Sequence, residues 1–314
     1  MAIFPLFFAV GLVGGTPVVD LKGTLIVGIL KVLGALPLPM VTRIGRGLGR
    51  LAWHLARDMR RVTLINLEIC FPEMPLQERK RLARASVIET VMTVCESGAV
   101  WTKKPSEVTP YITATAGEEL IQQALDQKRG VILIVPHLGN WEIANYHISS
   151  RYPFMAMYAP VPIPKLDQLI FKARSQMDAE FVPADRSGVM ALMSFLSKGG
   201  LTGVLPDQQP SIKSGVFVPF FTKTALTPVL LAKLIQRTRS AAFGYACLRN
   251  ADEKSFRIVC IPAEEAIYDA DESVSAAAMN RTIEALIRMA PEQYQWEYKR
   301  FNKRPDKQER RPYN

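Results

Sequence analysis

The chain has 314 residues, 48% of them hydrophobic, with a mean hydropathy of +0.07, enough for one large domain or two small ones. Its net charge of +10 sits at the two ends: residues 1–61 hold eight Lys/Arg against two Asp, residues 299–314 hold seven against two acids, and residues 62–298 are near neutral with 24 basic and 25 acidic residues. A near-neutral centre argues against a nucleic-acid-binding module, while basic ends suit an anionic membrane surface or an acidic protein. The four cysteines, Cys70, Cys95, Cys247 and Cys260, form no CxxC. They read as free core thiols on a reducing, cytoplasmic side, with no disulfide framework and no metal site.

Residues 1–19 carry no charge, and "GTLIVGILKVLGALPLPM" at 23–40 carries only Lys31. A membrane span needs about 20 apolar residues. A secretory signal would begin with positive charge and end at a small-residue cleavage site. The expectation is therefore a membrane-anchoring segment, as one transmembrane helix or a shallow hairpin, the arginines after residue 42 lying on the cytoplasmic side. "IGRGLGRLAWHLARDMRR" reads as one amphipathic helix, with Ile44, Leu48, Leu51 and Leu55 on one side and arginines on the other, a pattern that lies on a bilayer. His54 belongs to it as an interfacial residue. Helices follow in "VTLINLEICFPEMP" and "LQERKRLARASVIETVMTVCESGAVW", separated by the proline break.

After residue 110 the texture changes. "GEELIQQALDQKR", "NWEIANYHISSRY", "IPKLDQLIFKARSQM", "GVMALMSFLSKGG" and "TPVLLAKLIQRTRS" read as helices. "GVILIVP", "PFMAMYAP", "AEFVPA", "LTGVLPD", "AAFGYACLR" and "KSFRIVCIPA" read as strands. A last helix runs through "SVSAAAMNRTIEALIRMA". Helices alternating with short apolar strands predict an α/β sheet covered on both faces. Polar residues after "IVP" and "VLP" then sit at the C-terminal ends of strands, where open α/β sheets bind ligands.

The chain has three histidines, and His137 directly follows the strand "GVILIV". Glu142 lies five residues on. Within one regular helix that spacing is about 140° apart, so the two meet only if His137 is in the loop and Glu142 on the first turns of the helix. A carboxylate beside an imidazole fixes its tautomer, as a general base acting on an alcohol requires. Asn140 is a plausible helix cap, and nearby backbone N–H groups can bind an anion. No GxSxG elbow, GxGxxG after a strand, or GxxxxGK[ST] appears, so the base would act on the substrate's own hydroxyl. His147 reads as structural.

"PHLGNWE" resembles the HxxxxE motif of the lipid A biosynthesis late (lauroyl/myristoyl) acyltransferase family of Gram-negative bacteria. "INLEICFPEMPLQER" resembles the family's N-terminal helical signature, and "FKARSQMDAEFVP" carries the arginine expected after the second strand. "GVLPDQQP" with "GVFVPFFTKTALTP" resembles the "DQ…GxFVPFFGxxAxT" block, and "PEQYQWEYKRF" the C-terminal block. Thr222 stands where glycine is common, and Leu138 where Phe is common.

The resemblance implies an α/β, glycerol-phosphate-acyltransferase-like sheet flanked by helices, with an N-terminal membrane-anchoring helical segment. It implies transfer of a lauroyl-like chain from acyl carrier protein to a hydroxyl of a lipid A precursor in lipopolysaccharide biosynthesis, on the cytoplasmic face of the bacterial inner membrane. The partners are the carrier protein, the precursor and inner-membrane lipids, with no cofactor, no metal and no nucleic acid. Another lipid acceptor (a lysophospholipid, an ornithine lipid or a glycolipid) is the alternative. His137 is then the base and Glu142 its orienting acid. Arg174 serves a phosphate or an oxyanion. Asp207 pairs with Arg174 or orders the site loop. Gly139, Asn140 and Gln208 bind substrate. Trp296 and Arg300 read as packing or membrane-facing. The expected division is 1–61 membrane anchor and basic interfacial helix, 62–302 α/β acyltransferase domain, and 303–314 basic disordered tail.

Overall fold

The structure is a computed structural model that describes residues 20–176, 179–306, 308 and 311–313. Four helices open it: α1 (Leu21–Gly34), α2 (Leu38–Leu55), α3 (Arg57–Cys70) and α4 (Leu76–Val100). The rest alternates: α5 (Pro105–Val108), β1 (Ile112–Ala116), α6 (Glu119–Asp126), β2 (Val131–Ile134), α7 (Trp141–Ser149), β3 (Phe154–Tyr158), α8 (Pro164–Arg174), β4 (Ala179–Pro183), α9 (Arg186–Ser197) and β5 (Leu201–Val204). A hairpin of β6 (Gly215–Phe220) and β7 (Lys223–Pro228) follows, then α10 (Leu230–Thr238), β8 (Ala241–Arg249), β9 (Phe256–Pro262) and α11 (Glu272–Met289).

Seven strands form one sheet in the order β1-β9-β8-β2-β5-β3-β4. Neighbours from β8 to β4 are parallel; β9 runs antiparallel to β8, and β1 parallel to β9. The alternation along β2 shows why both faces are covered. Ile132 and Ile134 join the core under α9, α10 and α11, while Val131, Leu133 and Val135 join the core under α4, α6 and α7. A central strand buried on both faces reads as a continuous apolar run, and the sequence there is VILI.

Two expectations for the N-terminal helices are corrected. The apolar stretch 23–40 is not one span: α1 has 14 residues, and Pro37 opens α2. Among the described residues no helix is long and apolar enough to cross a membrane, and residues 1–19 lie outside the described residues. The stretch 44–61 is two helices that meet at Ala56. Across residue 61 the packing is continuous: Leu38, Val41 and Met59 share a core with sheet residues. The tail is also tied down where it is described. Tyr313 is buried, its hydroxyl donates to Asn66 Oδ1 at 2.5 Å, and Arg61 donates to its carbonyl at 2.6 Å. All four cysteines are free and buried.

Candidate active site

β2 and β5 are neighbouring parallel strands paired Ile134 with Val204. Each is followed at the same interval by a proline and a polar residue, Pro136–His137 and Pro206–Asp207. Equal rise from a shared register brings the two polar residues to one height above the sheet's C-terminal edge. There Asp207 holds His137 twice. Its Oδ2 accepts from the His137 backbone N–H at 2.9 Å, and its Oδ1 lies 2.8 Å from Nδ1. Both side chains are buried. Burial alone would raise the Asp207 carboxyl, but the His137 charge and these hydrogen bonds hold it below the usual carboxylate value.

An ionised carboxylate only accepts, so in the neutral imidazole Nδ1 carries the proton and Nε2 the lone pair. Nε2 faces Gln208, whose Nε2 is 3.3 Å away. The Trp141 ring meets the imidazole edge-on with centroids 5.1 Å apart.

Glu142 is therefore not the acid on His137. Asn140 caps α7 by accepting from the Ile143 N–H at 3.1 Å, which places Glu142 on the first turn and turns its side chain toward α8. There Arg174 donates from Nε to Oε2 at 3.2 Å and from Nη2 to Oε1 at 2.5 Å, a two-point pair. Burial disfavours the Arg174 charge, but the Glu142 carboxylate more than offsets it and holds the guanidinium above its usual value. Arg174 also lies 5.9 Å over the Tyr158 ring. Asp207 thus pairs with His137 and not with Arg174.

The loop between them is fixed from below. Gly139 has φ +61°, and a Cβ there would lie 2.0 Å from the Cys247 carbonyl oxygen; only glycine fits such a position. Its N–H donates to the Gln293 carbonyl, and the Asn140 N–H to the Cys247 carbonyl. The Asn140 amide donates to Glu96 at 3.1 Å, and Arg249 pairs with Glu96 and Glu89 in the same buried cluster. Contrary to the sequence reading, Gly139 and Asn140 spend these donors on the fold and do not present them to a ligand.

His137, Glu142, Arg174 and Gln208 line one cavity of about 390 Å³ whose other walls include Leu133, Val135, Ile148, Phe154 and Ile170. A mostly apolar pocket with a few convergent polar groups is the form of a small-molecule site, and this one suits a hydrocarbon chain with a reacting group at its polar end. Among the described residues no cluster of His, Cys, Asp and Glu could hold a metal ion. The C-terminal block, read from the sequence as packing, straps both loops. The Gln295 N–H donates to the His137 carbonyl at 3.1 Å, and the Gln209 N–H to the Tyr298 hydroxyl at 2.8 Å. Trp296 and Arg300 are buried within it. His147 pairs with Glu118 at 2.6 Å, away from the cavity lining.

The family model for bacterial lipid A biosynthesis acyltransferase matches residues 20–303. The chain is 30% identical to the lipid A biosynthesis lauroyltransferase of Escherichia coli (strain K12), over 89% of this chain and 91% of that protein. It is 28% identical to the palmitoleoyltransferase of the same strain, over 88% and 90%, and 25% identical to its myristoyltransferase, over 82% and 78%. The chain belongs to the bacterial lipid A biosynthesis acyltransferase family and is an acyltransferase.

Proposed function

We propose that this acyltransferase moves a fatty acyl chain from the thioester of acyl carrier protein to a hydroxyl of a lipid A precursor, with His137 as the general base. The observation that carries this reading is the Asp207–His137 pair at the mouth of an apolar cavity. Nε2 takes the proton of the acceptor hydroxyl as its oxygen attacks the thioester carbonyl. The tetrahedral oxyanion needs a donor. With the Gly139 and Asn140 N–H groups engaged, Arg174 is the cation placed for it or for a phosphate of the acceptor. Glu142 serves by holding Arg174. Collapse expels the carrier's thiolate, which recovers the proton from the imidazolium. The relatives' names speak of lauroyl, palmitoleoyl and myristoyl chains, and an apolar pocket suits any of them.

The reading includes docking on an anionic bilayer. α2 exposes Met40, Ile44, Leu48, Leu51 and Leu55 along one stripe, and α1 exposes Leu21, Leu25, Ile29 and Val32. Arg43, Arg50 and Arg57 are exposed beside them. An apolar stripe flanked by cations is the pattern of a helix lying in the membrane interface, and it replaces the expected transmembrane helix within the described residues.

The test is mass spectrometry of a lipid A precursor after incubation with a series of acyl carrier protein thioesters. Wild type adds one acyl chain; His137→Ala loses at least about 100-fold in rate, the range of a general base. Acylation of a different lipid alone would overturn the acceptor, and full activity of His137→Ala would overturn the base.

A further inference from the structure

The sheet opens at one place. β3 pairs with β4 along its whole length but with β5 at a single position, Phe154 with Leu201. β5 meanwhile stays on β2 through Val204. Beyond that one shared position β5 and β3 part, and the cavity fills the gap. Val135 and Ile148 reach it from the α7 side of the sheet, Leu192 and Leu231 from the α9 and α10 side. Depth in the cavity follows from the register. His137 stands at the mouth. Leu133, four residues back along the chain and paired with Gly203, stands about 13 Å lower at roughly 3.3 Å per residue. Among the residues of the seven-stranded sheet, only Phe154 lines the cavity from below that height.

We propose that Phe154, seated over Gly203, is the floor of the acyl pocket and sets the longest fatty acyl chain that the enzyme transfers. The inference rests on the reading that this cavity takes the acyl chain of the thioester.

The glycine is what lets the ring serve as a floor. Gly203 lies within β5, in extended backbone that any residue adopts, so no turn asks for glycine there. Glycine inside a strand weakens it and marks a place where something approaches closely. A Cβ at Gly203 would lie 3.3 Å from Phe154 Cζ and 3.5 Å from its Cε2, with Val135 Cγ2 next at 3.8 Å. The neighbours that such a Cβ would meet are therefore side chains of the cavity wall, not backbone. The bare backbone of β5 lets the Phe154 ring lean across the foot of the gap and leaves the space above it open. Phe154 is 4% exposed and packs in the core under α7.

Depth then selects the chain. An extended lauroyl chain with its thioester carbon beside His137 reaches about as far as Phe154. A palmitoyl chain is too long for that path and must fold back or displace the ring. A close-packed interior resists both. In a fixed apolar pocket one methylene is discriminated by about tenfold or more.

The experiment takes the full chain and the decanoyl, lauroyl, myristoyl and palmitoyl thioesters of acyl carrier protein. For each it measures Kd and the kcat/KM of transfer to a lipid A precursor. Wild type falls by at least about tenfold from lauroyl to palmitoyl. Phe154→Leu keeps an apolar side chain but withdraws the ring, and it moves the optimum to myristoyl or beyond. Gly203→Val fills the space above the ring and moves the optimum to decanoyl. A general loss of stability does not shift two neighbouring variants in opposite directions, and either variant carries the test by itself if the other does not fold. A chain-length order in a folded variant that matches wild type overturns the proposal. The two readouts keep the readings apart. Shifts in Kd without transfer to the precursor uphold the floor and overturn the acceptor; transfer with an unchanged chain order upholds the acyl transfer and overturns the floor.

Discussion

At the scale of single residues, the site turns on which carboxylate meets which partner. "PHLGNWE" invites a pair within the motif, yet the helix cap at Asn140 sends Glu142 to Arg174 and leaves His137 for Asp207. The sequence places His137 and Asp207 after strands, where polar groups collect, whereas Arg174, at the end of a helix, was singled out by the family resemblance. The pairing of His137 with Asp207 was not legible, because it depends on β2 and β5 being neighbours in register, a long-range fact. One local sign did exist: both strands end in proline and a polar residue at matching positions. Asp207→Asn tests the pairing. The amide can present its NH₂ to Nδ1, which places the proton on Nε2 and removes the base. The expected loss in kcat is roughly 10³–10⁴-fold with the fold intact. Were Glu142 the orienting acid, Asp207→Asn would retain most of the rate.

At the scale of elements, strong periodicity was readable and weak turn chemistry was not. The strands and helices that alternate from residue 117 onward lie close to their expected places, because apolar runs and their glycine and proline boundaries carry the signal. The β6–β7 hairpin lacked one: its turn is Phe221–Thr222, with Phe221 at φ +52° where Asn or Gly would announce a turn. β1, "ITATA", is an edge strand with mostly exposed residues and no apolar run. The break at Ala56 has neither Gly nor Pro. "GRGLG", by contrast, finds its use in helix packing. A Cβ at Gly45 would lie 2.8 Å from Met92 Cα, and at Gly49 2.7 Å from Ile88 Cα, so these glycines let α2 approach the α4 backbone. Gly47, on the same helix, has nothing within 4 Å. Helix propensity favours alanine over glycine by about 1 kcal/mol at every one of these positions. Overpacking against backbone costs about 1–3 kcal/mol and wins only where there is contact. Denaturant unfolding should show Gly49→Ala destabilised and Gly47→Ala stabilised. Equal shifts would mean that α2 does not pack closely on α4.

At the scale of the whole molecule, the charge asymmetry and the apolar N-terminal helices are parts of one surface. The basic ends were legible from composition, but not their partners: Tyr313 and Arg61 bring the C-terminus back to α3, next to the arginine-bearing helices. α1 and α2 bury one face each, Ile26 and Leu30 on α1 and Leu38 and Val41 on α2. The opposite faces remain apolar, with Leu25 at 66% and Leu55 at 69% exposed. An exposed apolar face that wide, rimmed by cations, marks an interaction surface, and an anionic bilayer matches it in both respects. The prediction uses the full chain in vesicle flotation with phosphatidylglycerol-containing bilayers. Leu25→Glu, Leu48→Glu and Leu51→Glu together remove three side chains from the apolar face, each worth about 1.5–3 kcal/mol when fully buried. Vesicle partition should fall by at least tenfold per residue where insertion is complete, and wild-type partition should weaken as salt rises. Activity on acceptor dispersed in detergent should survive, because none of the three lines the cavity. Undiminished flotation of the triple variant would show that the α1–α2 face is not what meets the membrane.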